Sequence, residues 1–150
     1  MRRFAAALLA VLLCGALLAG CQADTAYADG TYYAEFEEYD SYGYKEYMRV
    51  TVEDGAVTAL EYNAMDADGA LRTQDEKYRQ NMESVNDTYP EKYTADLVNQ
   101  FMENKDIDKL DAIAGATWSS DSFKALYKAL LLNMAVGDTN TVLVENVPEK

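Results

Sequence analysis

The sequence predicts a single α+β domain, an antiparallel sheet with helices packed on it. Three observations carry that prediction. Met48, Val50 and Val52 alternate with Arg49 and Thr51, the period-2 pattern of a half-buried strand. Asp54-Gly55 follows directly, a two-residue hairpin turn with a strand on each side. Beyond residue 75 the apolar spacing changes to that of helices, and strands followed by helices form an α+β domain rather than an alternating one.

The elements follow in chain order. Residues 1–20 read as a signal peptide: Arg2 and Arg3 form a positive start, and Phe4 to Leu18 is apolar but short for a membrane span. The run Leu18-Ala19-Gly20-Cys21 resembles a bacterial lipobox, in which cleavage precedes a cysteine that carries lipid. That resemblance makes Cys21 the lipidation site and residues 21–28 a lipidated tether. It holds the rest of the chain on the outer face of a bacterial membrane, since acyl chains anchor without spanning. Residues 29–150 form the domain. Asp29-Gly30 is a turn pair, the run from there to Asp40 continues with strand formers, and the irregular tyrosines between Tyr27 and Tyr47 suit half-buried strands. The strand that carries Met48, Val50 and Val52 turns at Asp54-Gly55 and returns as Val57 to Tyr62, and Asp68-Gly69 marks another turn. Tyr78, Met82 and Val85 give a first helix, which Tyr89-Pro90 ends. Tyr93, Leu97, Phe101 and Met102 give a second, closed by Asn104-Lys105-Asp106. Leu110 to Ile113 is either a short strand or an extended approach. Phe123, Leu126, Leu130 and Met134 give a third helix, with Ser119, Ser120 or Asp121 as its N-cap and Gly137 near its C-cap. Thr141 to Val147 adds a final edge strand.

Composition excludes several chemistries. The chain has no histidine, which removes the usual general base and the commonest metal ligand. Its two cysteines are Cys14, within the signal peptide, and Cys21, taken by lipid. Thiol and Ser-His-Asp mechanisms therefore have no residues to use, and a metal site would have only carboxylates. The formal net charge is −13, with no basic stripe for phosphates, so nucleic acid is not an expected partner.

One stretch can carry function: Asp111-Ala-Ile-Ala-Gly-Ala-Thr-Trp-Ser-Ser120. Small residues let backbone approach a ligand closely, and a helix start offers amides and partial positive charge to an anion. Thr117, Ser119 and Ser120 add hydroxyls. An ordinary serine or aspartate cap explains the same residues without a ligand. Asp111 to Thr117 resembles the Asp-x-x-Ser/Thr-Gly-Ala-Thr motif of the FMN-binding domain, found in subunits of the sodium-translocating NADH:quinone reductase, in the Rnf complex and in small bacterial lipoproteins. Asp29-Gly30-Thr31-Tyr32, the hairpin Val50 to Gly55, and Ser119-Ser120 before a Leu-rich helix are similar too.

The resemblance implies FMN as cofactor, joined through its phosphate to the hydroxyl of Thr117 by a separate flavin transferase. Asp111 then serves recognition by the transferase, and Gly115 and Ala116 leave room around the phosphate. Trp118 adjoins the phosphate, and Tyr78, Met82, Tyr93 or Met102 are candidates to line a slot for the ring. Ala114 stands where the family has serine or threonine. The role implied is that of an extracytoplasmic electron carrier between a donor and an acceptor, not an enzyme with its own substrate. The alternative is a lipoprotein that binds a ligand or protein, with FMN reversible or absent.

Overall fold

The computed structural model describes residues 26–148. The expected signal peptide, residues 1–20, and the expected lipidation site, Cys21, lie outside the described residues. Four strands form one sheet: β1 (Gly30–Phe36), β2 (Lys45–Glu53), β3 (Ala56–Met65) and β4 (Val142–Val144), in the order β3-β2-β1-β4. The helices are α1 (Glu76–Glu83), α2 (Pro90–Asn104) and α3 (Thr117–Val136).

The β2–β3 hairpin forms at the expected turn, with Asp54 at φ 52° and Gly55 at φ 76°, as a two-residue turn requires. Its register pairs Val50 with Leu60 and Met48 with Tyr62, so apolar side chains meet on one face. β4 pairs with β1 in parallel, which makes the sheet mixed. The reason is the path after α3. Gly137, left-handed at φ 76°, ends the helix, and the chain runs back beside β1 toward the start of α3. A sheet edge filled after a helix in this way receives a parallel strand.

α3 covers β1 and β2, and α2 covers β3. Tyr32, Met48, Val50, Leu97, Phe101, Phe123, Leu126, Leu130 and Met134 form the core between them. Phe123 meets Tyr62 edge-on at 5.1 Å between ring centres, and Phe101 lies 4.4 Å from Tyr127. Pro90 opens α2 at its first turn, where its missing N–H costs nothing. Lys105, left-handed at φ 54°, closes it. α1 buries none of its residues. Val85 lies beyond its end and is 78% exposed, so it belongs to no core stripe. Leu110 to Ile113 is an extended approach to α3 rather than a strand. Among the described residues, no helix is long and apolar enough to cross a membrane.

Candidate functional site

α3 begins one turn earlier than the serines predict. Ala116 is its N-cap and Thr117 its first residue, so Ser119, Ser120 and Asp121 lie inside the helix. Gly115 causes this. At φ 79° it reverses the chain, and the Ala116 amide closes a turn onto the Ile113 carbonyl at 2.9 Å. The Ser120 hydroxyl then accepts from the Ile113 amide at 3.0 Å and donates to the Ala116 carbonyl at 2.9 Å. It staples the approach to the first turn. A Cβ on Gly115 would lie 3.0 to 3.2 Å from Asn86, so this turn also depends on a close neighbour.

No side chain caps α3. The first-turn amides of any α-helix lack partners within it, and here they open onto a cleft of about 720 Å³. That size suits a cofactor. Gly115, Ala116, Thr117, Trp118 and Ser119 form one wall, Tyr78, Met82, Val85 and Asn86 another, and Asp40 and Tyr42 the lip. Tyr93 also lines the cleft, and burial pushes its phenol up to about 12.

The motif residues separate by role. Thr117 is exposed and Trp118 half-buried, both against the cleft. Ser119 and Ser120 are buried. The Ser119 hydroxyl faces Glu46 at 3.4 Å rather than solvent. Asp111 and Ala114 are exposed and do not line the cleft; the Asp111 amide donates to Gln100 Oε1 at 3.1 Å. Of the proposed ring contacts, Tyr78, Met82, Tyr93 and Trp118 line the cleft, and Met102 packs against the core instead.

Behind the wall lies a charged group that sequence reading missed. Arg72 is 3% exposed, in a short 3-10 turn, Arg72–Gln74, after β3. It donates from Nη1 to Asp40 Oδ2 at 2.9 Å and from Nη2 to Glu46 Oε1. Burial pulls its pKa down, but the Glu46 carboxylate and the surrounding tyrosines Tyr93, Tyr62 and Tyr78 together outweigh that, and Arg72 stays charged. Burial pushes the Glu46 carboxyl up, against the pull of Arg72 and Tyr62. The Tyr62 hydroxyl lies 2.7 Å from Glu46 Oε2 and 2.9 Å from the Ser119 carbonyl, and its single proton serves one at a time. Asp40 Oδ1 accepts from the amides of Tyr42 and Tyr44 at 2.9 and 2.8 Å, which fixes the lip. Trp118 is pinned from the other side, its Nε1–H donating to the Val147 carbonyl at 3.1 Å.

Sequence parity carried one usable signal: Glu46 falls in step with Met48, Val50 and Val52, on the apolar face. Nothing local marks Asn86 or Val147.

Comparison with known proteins agrees with this geometry. The FMN-binding domain family matches residues 42–132. The 15 kDa lipoprotein of Treponema pallidum (strain Nichols) is 30% identical over 131 residues, covering 87% of this chain and 93% of that protein. The crystal structure of the CPE2226 protein from Clostridium perfringens superposes with a TM-score of 0.75 at 32% identity, covering 81% of this chain and 99% of that one.

Proposed function

Because the chain belongs to the FMN-binding domain family, with FMN as its cofactor, we propose that it is an electron carrier anchored on the outer face of a bacterial membrane. Its FMN is joined to Thr117 by a phosphoester. The observation that carries this reading is the exposed Thr117 hydroxyl on the first turn of an uncapped 20-residue helix, beside an aromatic cleft.

The residues fit the group. Unpaired amides and the helix dipole at the start of α3 favour the charge of a phosphate. Gly115 lets the backbone come close, as only a residue without Cβ does beside Asn86. Tyr78, Trp118 and Met82 offer an apolar slot to a planar ring. FMN, when bound, supplies reversible electron transfer, and the protein supplies position and field. A threonine hydroxyl is a weak nucleophile and the chain has no histidine to activate it, so attachment falls to a separate flavin transferase.

Similarity to a lipoprotein supports the lipid anchor at Cys21. The first described residues meet the far end of α3, where the Ala28 amide donates to the Met134 carbonyl at 2.8 Å. A 20-residue helix is about 30 Å long. The described chain therefore begins at the end of α3 opposite Thr117.

The test is expression of the full chain with and without a flavin transferase, followed by a denaturing gel read by flavin fluorescence and peptide mass mapping. A fluorescent band only with the transferase, mapped to Thr117 and lost in Thr117→Ala, is expected. Covalent flavin retained in Thr117→Ala would refute the linkage. Ala114, in place of a hydroxyl residue, favours a second reading with reversible FMN. A yellow native protein that gives a dark band identifies that case, and a protein that takes up no flavin identifies a module that binds something else.

A further inference from the structure

Arg72, Glu46 and Asp40 form a buried ionic relay that the proposed chemistry has not used. Such groups are weak evidence for stability, because apolar side chains of similar volume often replace them without loss. Their position is more informative. The Arg72 guanidinium carbon lies 5.8 Å from the centre of the Tyr78 ring and 5.9 Å from that of Trp118. Both rings line the cleft, and so does Asp40, whose side chain is 1% exposed. A cation and a carboxylate are thus held one ring behind, and within, the wall proposed for the flavin. The dielectric is low there, and neither charge can be rotated away. The chain has 26 acidic and 13 basic residues, so a buried arginine against this wall runs counter to its overall charge.

We infer that Arg72 and Asp40 set the reduction potential of the bound flavin, Arg72 raising it and Asp40 lowering it. Reduction adds negative charge to the ring. A fixed cation nearby stabilises the reduced form and a fixed anion destabilises it. Arg72 acts through the wall as a tuning and positioning residue and touches no reacting atom. For unit charges on the order of 10 Å apart at an effective dielectric of about 20, the effect is roughly tenfold in the ratio of reduced to oxidised flavin. That equals about 30 mV for a two-electron couple.

This inference rests on flavin occupying the cleft. Its test is a spectroelectrochemical titration of the flavin-loaded full chain. Arg72→Gln should move the midpoint potential negative by about that amount. Arg72→Lys keeps the charge and should stay near wild type, while Asp40→Asn should move it positive. A structural role alone would loosen the wall in both neutralising variants and shift them together. Shifts of the same sign, or none, in Arg72→Gln and Asp40→Asn would overturn the inference and leave flavin binding standing. If Arg72→Gln does not fold, Asp40→Asn decides: an unchanged or more negative potential overturns it. A wild-type chain that takes up no flavin removes the functional reading and this inference together.

Discussion

Replacing Gly115 with alanine separates the two reasons for glycine at the start of α3. The first is backbone. Gly115 sits at φ 79°, and a residue with a Cβ pays about 1 to 2 kcal/mol there. The second is space. The new Cβ meets Asn86 Oδ1, Cβ and Cγ at 3.0, 3.1 and 3.2 Å, and overpacking of this kind costs roughly 1 to 3 kcal/mol unless the neighbour yields. Together these come to about 2 to 5 kcal/mol, which lowers the melting temperature by roughly 8 to 20 °C for a domain of this size. Thermal and urea unfolding of unloaded protein, followed by circular dichroism, measures it. Repeating the substitution in an Asn86→Gly background removes all three contacts and leaves the backbone part, so the cost there should fall to about 1 to 2 kcal/mol. Wild-type stability of Gly115→Ala, within about 0.5 kcal/mol, would refute the account of the turn. An undiminished cost in the Asn86→Gly background would refute the crowding part alone.

Other substitutions test the remaining pieces. Ser120→Ala should lower stability by about 1 to 3 kcal/mol in urea unfolding, because the Ile113 amide loses its acceptor. Thr117→Ala should leave stability within about 0.5 kcal/mol of wild type while removing the proposed site of attachment, since its side chain is exposed. Asp75 caps α1, and its carboxyl is held below the ordinary range by the Tyr78 amide first and the Tyr44 hydroxyl second. Its stabilisation is therefore present above the unfolded value and lost as pH falls through the lowered folded one. Asp75→Ala should cost about 1 kcal/mol at neutral pH, and the gap from wild type should narrow below about pH 4 in unfolding curves. A chain ending at Asn146 removes the partner of Trp118, the only tryptophan, and its emission should shift to longer wavelength.

The sheet and the two long helices were legible because their signals are local. Alternation at Met48, Val50 and Val52 and the Asp54-Gly55 turn determine the hairpin without knowledge of the rest. The stripes of α2 and α3 match the buried residues Leu97, Phe101, Phe123, Leu126, Leu130 and Met134. α1 was harder: Tyr78 and Met82 have helical spacing, but they face the cleft rather than the core. The parallel pairing of β4 was not legible, since direction depends on where α3 delivers the chain. The relay was not legible as a unit either. Asp40, Glu46 and Arg72 come from a loop, a strand and a 3-10 turn, and charged residues in an acidic chain read as solvated.

The start of α3 shows why one local sequence supported two readings. Thr117, Ser119 and Ser120 all have hydroxyls, and each is a reasonable cap. The fold spends two of them inward: Ser120 on the approach to the helix, Ser119 beside Glu46. Gly115 has already turned the chain, so the helix starts at Thr117 and Ala116 occupies the cap position with nothing to donate or accept from its side chain. A cap at residue 119 or later would have satisfied the amides and shortened the helix. An alanine cap leaves the amides without a side-chain acceptor and places the exposed Thr117 beside them. The departure from ordinary capping is thus the feature that makes this helix end suit a phosphate.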